Sequence, residues 1–299
     1  MHGGVILLRL ARALQVTRYV PVIEPTSPAA ELPPRRCATI TGMATTEGSA
    51  PPAAASAVEL NGINVIPDAE RKGTPRDLFW PWCAANIAVL GVSYGSFVLG
   101  FAISFWQAVA VAVLGTVVSF LLVGFVSLAG KRGSAPTMVL SRAAFGVHGN
   151  ALPTFVSYLL TVGWEIVLVS TATLATATVF QRLGVGGGDA TKILAFLVVA
   201  AIVIAAGVLG FDAIMRIQAV ITVAAAVLTV GYVALTLDDL DFTAVSALPA
   251  GGGAALLGAF VFMLVGFGIG WVNAGADYSR YLPRSASSRG VVGLSLIHI

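Results

Sequence analysis

Trp164 and Glu165 stand in the middle of a long apolar stretch, and Trp271 and Asn273 stand in another whose centre is broken by Gly266, Gly268, Gly270 and Gly275. Each residue type brings its own chemistry. An indole presents a flat apolar face with one N–H donor, a shape that stacks on a planar heterocycle. An acid inside an apolar helix costs about 3 kcal/mol by insertion scales, so Glu165 needs a proton, a partner or a water-filled cavity. A third stretch sets Gly91 and Gly95 among Asn86, Ser93, Tyr94 and Ser96. A helix can open over Gly91 to Ser96, and freed carbonyls near Asn86, Gly91 and Ser93 could then coordinate a cation. Blander readings stay open for each: Gly91 and Gly95 as a close-packing face, Glu165 protonated between helices, Trp164 as packing.

Other polar groups in the apolar stretches read as structural. The run Ser170, Thr171, Thr173, Thr176 and Thr178 suits interhelical packing, and Asp212 with Arg216, four residues on, suits an ion pair within one helix. Cys37 and Cys83 make no disulfide framework, and His2, His148 and His298 are too scattered to ligate one metal. No phosphate-binding loop, nucleophile triad or zinc spacing occurs, which excludes an ATP-driven pump or a membrane hydrolase and leaves no cofactor to expect.

The elements that must position these residues are membrane helices. The chain is 57% hydrophobic and 10% charged, with a mean hydropathy of +0.91, whereas a soluble domain carries about 25% charged residues. Apolar runs of about 20 residues match the roughly 30 Å hydrocarbon core of a bilayer. Six spans are predicted, at about 82–103, 106–129, 151–180, 191–210, 214–236 and 254–276. Basic residues cluster on one side of this pattern: Arg71, Lys72 and Arg76; Lys131, Arg132 and Arg142; Arg216; and Arg280, Arg284 and Arg289. The other side has only Arg182 and Lys192, with the acidic Asp238, Asp239 and Asp241. The positive-inside rule then predicts a cytoplasmic amino terminus. The pI of 9.1 reflects these loops, so nucleic acid is not expected as a partner and the lipid bilayer is. The first and sixth spans, five helices apart, both carry Gly-rich polar centres, the pattern of transporters whose site lies between two discontinuous helices.

The ends differ from the middle. Residues 1–57, rich in Pro, Ala, Ser and Thr, read as disordered or as an upstream extension ahead of Met43. Residues 58–80 form an amino-terminal cytoplasmic segment, and 81–293 form the transporter domain. Residues 294–299 stop where a seventh span would start and read as an artefactual terminus of a truncated chain.

Several segments together resemble one family. They are Val58 to Pro67, Arg76-Asp77-Leu78-Phe79-Trp80-Pro81-Trp82, Ile103-Ser104-Phe105-Trp106-Gln107, Gly130 to Gly146, and Ala276-Asp277-Tyr278-Ser279-Arg280-Tyr281-Leu282-Pro283. From about residue 58 to 293 the chain resembles the nucleobase:cation symporter-1 family, in its purine-cytosine permease branch. The resemblance implies an all-α integral membrane protein, the first half of a twelve-helix transporter with the five-plus-five inverted-repeat (LeuT-like) fold. It implies import of cytosine or a purine across the plasma membrane, coupled to Na⁺ or H⁺. By the same resemblance, Trp164 and Trp271 would sandwich the base; the polar positions within the spans add Gly95, Ser96, Glu165 and Asn273 as expected substrate contacts. Transport of another planar heterocycle (allantoin, a hydantoin or a vitamin) and an inactive membrane fragment stay open as alternatives. The oligomeric state is left undetermined.

Overall fold

The computed structural model describes residues 58–87 and 89–297, and every regular element among them is helical. The expectations for residues 1–57 and for the last two residues of the chain lie outside the described residues. Five helices are long and apolar enough to cross a membrane, or six if one bent pair counts as a single span.

The first span is that bent pair. A short 3₁₀ turn at Pro75–Leu78 leads into α1 (Phe79–Asn86), and α2 (Val89–Leu99) follows after a break; the two halves meet at 57°. The break falls at Ile87, whose ψ of 56° is not helical. Gly91 to Ser96, expected to be the opened part, is instead helical within α2. The reason lies at Gly91, where a Cβ would stand 2.6 Å from the Asn86 carbonyl oxygen. Gly91 thus lets α2 start close against the end of α1.

The second span, α3 (Phe105–Gly133), is the centre of the packing. Its start is fixed by a reciprocal cap in which Gln107 N–H donates to Ser104 Oγ and Ser104 N–H donates to Gln107 Oε1 at 3.0 Å. The same Gln107 side chain donates to the Gly251 carbonyl and accepts the Gly251 N–H at 2.8 Å, which seats the sixth span beside it. Short helices α4 (Thr137–Leu140) and α5 (Arg142–Gly149) then turn into the third span, α6 (Ala151–Arg182). The fourth and fifth spans are α7 (Asp189–Leu209) and α8 (Phe211–Thr236), joined at Gly210, whose φ of 79° suits glycine. A short α9 (Phe242–Ser246) precedes the sixth span.

The sixth span is α10 (Gly253–Gly266), a 3₁₀ stretch at Ile269–Ala274 and α11 (Gly275–Ser279), followed by α12 (Ser288–Leu294). Small residues on α3 let these segments approach closely: a Cβ on Gly115 would be 2.8 Å from Met263 Cβ, and one on Gly130 would be 2.6 Å from Ala276 Cα. Trp82 and Phe120 fill the space between α1 and α3 edge to face, with ring centres 6.3 Å apart.

The segment ahead of α1 packs onto the far end of the sixth span. Glu59 accepts from Arg280 at 3.1 Å, from the Tyr281 hydroxyl, and from the Phe211 N–H at the start of α8 at 2.8 Å. Burial first, then the hydrogen bond to Glu59, pushes the Tyr281 phenol well above its ordinary pKa, so it stays a neutral donor. Arg71 donates to the Leu282 and Lys131 carbonyls from a buried position. The expected helical pair of Asp212 with Arg216 is not formed; Asp212 pairs with Lys72 at 2.6 Å. An i,i+4 pair is worth only about 0.3–0.5 kcal/mol, so a cation brought alongside by the folded-back segment displaces it.

Candidate substrate site at the opened sixth span

Helix α10 ends at Gly266, and Phe267 leaves helical geometry with φ −102° and ψ −95°. The next residues continue as a six-residue 3₁₀ stretch that carries both Trp271 and Asn273. Runs of this helix beyond about four residues are uncommon and often mark a functional hinge. The opening expected from the glycines is therefore present here, over Gly268 to Ala274.

Four other elements meet this opening. Tyr94 of α2 lies over it: a Cβ on Gly266 would be 2.5 Å from the Tyr94 ring, and the Tyr94 and Phe267 ring centres are 5.2 Å apart. From α3, Ser119 Oγ accepts the Gly268 N–H at 3.0 Å. From α1, the Trp82 indole meets Trp271 edge to face at 6.2 Å, and the same Trp82 meets Tyr278 of α11 at 5.3 Å. From α6, Ser157 Oγ accepts from Asn273 Nδ2 at 2.8 Å. The opened stretch is thus enclosed by aromatic rings on the α1 and α2 sides and by two hydroxyls on the α3 and α6 sides. Trp271 and Asn273 are half-buried there, and Trp82 is 1% exposed with its indole N–H unpartnered among the described residues. Such an arrangement can hold a planar, uncharged ring by stacking while amide and hydroxyl groups read its polar edge.

The other site candidates are less gathered. Trp164 is 40% exposed on α6 and makes no ring contact among the described residues; the indole facing Trp271 is Trp82. Seven residues separate Ser157 from Trp164, two turns of helix, so Trp164 shares the α6 face that reaches Asn273. Glu165 is exposed and lines an open hollow of about 290 Å³ between α6 and α7 with Ser170, among apolar side chains including Val162 and Phe196. Gly95 and Ser96 lie exposed on α2, and a Cβ on Gly95 would meet nothing within 4 Å. Asn86 turns its side chain back to the Trp82 carbonyl at 2.6 Å, and its own carbonyl faces Gly91 across the first break. A larger hollow of about 500 Å³ beside Arg142, Asn150 and Tyr158 is lined by no residue of either break. Neither hollow is lined by Trp271 or Asn273, so the candidate site is taken from the helix break rather than from volume.

Sequence reasoning placed Tyr94 in the polar centre of the first span but passed over Ser119 and Ser157. Ser119 lies four residues after Gly115 on α3, a small-residue spacing that marks a close helix face but not which backbone that face receives. Within the hydroxyl run of α6, Thr171, Thr176 and Thr178 turn inward on their own helix, as when Thr171 donates to the Val167 carbonyl at 2.8 Å and Thr176 to the Ala172 carbonyl at 2.8 Å.

Comparison with known proteins places this arrangement in context. Residues 65–298 match the model of a family described as permease for cytosine/purines, uracil, thiamine, allantoin. A protein of Bacillus subtilis (strain 168) named as a purine-cytosine permease is 26% identical over 227 residues, covering 76% of this chain and 48% of that protein. The chain therefore spans about half the length of that relative. No solved structure matches the chain at a significant level.

Proposed function

The chain belongs to the family of permeases for cytosine/purines, uracil, thiamine and allantoin, and from that premise we propose that it forms the amino-terminal half of a secondary transporter importing a nucleobase. It is a multi-pass membrane protein of a transporter family rather than an enzyme. The observation that carries the reading is the opened stretch of the sixth span, with Trp271 and Asn273 held half-buried between α1, α3 and α6. A break in the first span together with one in the sixth, the leading helices of the two repeats, fits a five-plus-five inverted repeat.

In this reading the base stacks on Trp271, and Trp164 closes on its other face when the α6 surface moves toward the opening. Asn273 reads the polar edge, and Gly95, Ser96 and Glu165 line the path on the α2 and α6 sides. Import is coupled to Na⁺ or H⁺ by alternating access. Carbonyls freed at the first break, around Asn86 and Gly91 with Ser93 nearby, are the oxygens a Na⁺ would use; Glu165 is the group a proton would use. The protein sits in the plasma membrane, with residues 58–80 in the cytoplasm on the side where the basic loops cluster.

Uptake assays on a transporter of the relative's length carrying this sequence test the proposal. Radiolabelled cytosine, adenine and hypoxanthine are expected to accumulate, with unlabelled base competing. Accumulation should fall when Na⁺ is replaced by choline or when a protonophore is added, and which treatment acts identifies the ion. Uptake of allantoin, a hydantoin or thiamine in place of the bases would move the assignment to another planar heterocycle. Cysteine at position 132, an exposed site, should label only after permeabilisation; labelling of intact cells would reverse the orientation.

A further inference from the structure

We propose that Ser119 and Ser127 of α3 are positioning residues that clamp the two ends of the opened sixth-span stretch and so set the place of Trp271 and Asn273. The inference rests on the reading of that stretch as the substrate site. Both serines are completely buried, and each meets one end. Ser119 Oγ accepts the Gly268 N–H at 3.0 Å and donates its own proton to the Thr116 carbonyl at 2.9 Å. Ser127 Oγ donates to the Gly275 carbonyl at 2.9 Å.

The Ser119 bond falls where the backbone needs one, and the Ser127 bond adds to a backbone group already in a helix. A helix end leaves N–H or C=O groups without helical partners, and in a membrane water does not replace them. Gly268 stands two residues past the end of α10, so its N–H has no partner in that helix, whereas the Gly275 carbonyl, at the first residue of α11, gains from Ser127 a bond beyond the helix's own and ties α11 to α3. Spacing agrees as well: eight residues of α-helix between the serines rise about 12 Å, and seven residues of 3₁₀ helix between the glycines rise about 14 Å. One rigid helix therefore serves as a ruler for the stretch it holds.

The clamp reaches Trp271 through the backbone. Trp271 N–H donates to the Gly268 carbonyl at 2.9 Å, so the indole is carried by the residue that Ser119 fixes. Contact at that point is close enough to need glycine, since a Cβ on Gly268 would stand 2.5 Å from Ser119 Oγ. At the other end Asn273 lies two residues ahead of Gly275, and Ser157 of α6 holds its side chain. Movement of either end would shift the indole and the amide together.

The test uses a purified transporter of the relative's length carrying this sequence, in nanodiscs, as wild type, Ser119→Ala, Ser127→Ala, Ser119→Thr and Trp271→Ala. Two quantities are measured: amide hydrogen exchange over residues 267–276, and Kd for the radiolabelled base taken up best. Each alanine variant should speed exchange in that segment about ten-fold, the loss of one buried hydrogen bond. Each should also weaken base binding several-fold, with Ser119→Thr, which keeps the hydroxyl, close to wild type in both. Unchanged exchange in both alanine variants would overturn the clamp. Faster exchange with wild-type Kd, while Trp271→Ala weakens binding, would show that the serines hold a turn and not the site, which also overturns the proposal. Wild-type Kd in Trp271→Ala would instead remove the site reading and the positioning role with it.

Discussion

The helices around α3 and the trio α6 to α8 have similar composition and opposite packing. Of the most apolar window of α3, 39% is buried, against 0% for α6 and 6% each for α7 and α8. The difference lies in what the small and hydroxylated residues meet. On α3 a Cβ at Gly130 would be 2.3 Å from Ser279 Oγ and 2.6 Å from Ala276 Cα, whereas a Cβ at Gly163 of α6 or Gly207 of α7 would meet nothing within 4 Å. Several hydroxyls divide the same way, although Ser157 of α6 meets Asn273 and Thr222 of α8 meets the Trp80 carbonyl. Ser119 and Ser127 reach across to the backbone of another segment, while Thr161, Thr171, Thr176 and Thr178 return their protons to carbonyls four residues back. A glycine or serine therefore acquires a role across helices only where a second segment comes close. In the trio, the outward faces carry Leu, Val, Ile and Phe side chains that suit lipid or further helices.

The sharpest way to break this contrast is overpacking. Gly130→Val should prevent the sixth span from seating, with a loss of about 3 kcal/mol or more, seen as aggregation on detergent extraction. A monodisperse, heat-stable Gly130→Val protein would mean that α3 and α11 are not in contact. Next in size is Glu59→Ala, which leaves the largely buried Arg280 without its carboxylate. A cost of about 3 kcal/mol is expected, read as a lowered midpoint in thermal unfolding, and a midpoint equal to wild type would reclassify the pair as solvated. Within the candidate site, Trp271→Ala should weaken base affinity about ten-fold, the equivalent of about 1.4 kcal/mol of stacking, with Phe retaining part of it. Trp164→Ala should weaken affinity as well, since α6 closes on the ligand in the proposed reading; wild-type affinity in that variant would leave Trp271, already packed at the opening, as the stacking indole without Trp164. Smallest of all is Gly207→Ala in α7, where space is open and the helix gains about 0.5–1 kcal/mol of propensity. Clear destabilisation there would reveal a partner pressed against the trio.

How much of this was legible varied with the kind of force involved. Helix class and span positions followed from runs of apolar residues, because hydrocarbon leaves no other way to satisfy the backbone. The broken sixth span was equally plain, since Gly266, Gly268, Gly270 and Gly275 weaken the helix where they stand. The first span was read one turn too late. Gly91 looked like the weak point, but it is the residue that permits a tight contact, and the helix parts at Ile87 before it. Asp212 was assigned to its neighbour on the same helix, whereas Lys72, distant in sequence, reaches it first.

The amino-acid sequence by itself determined a multi-span helical membrane protein, the location of the opened sixth span, and the residues available at it, because these depend on local composition. Only the tertiary structure decided which indole faces Trp271, that Ser119 and Ser157 rather than Glu165 meet the opened stretch, and that Glu59 binds α8 to the end of the sixth span. Those pairings join residues far apart in the chain. They are set by how closely two backbones approach, a quantity that no single stretch of sequence contains.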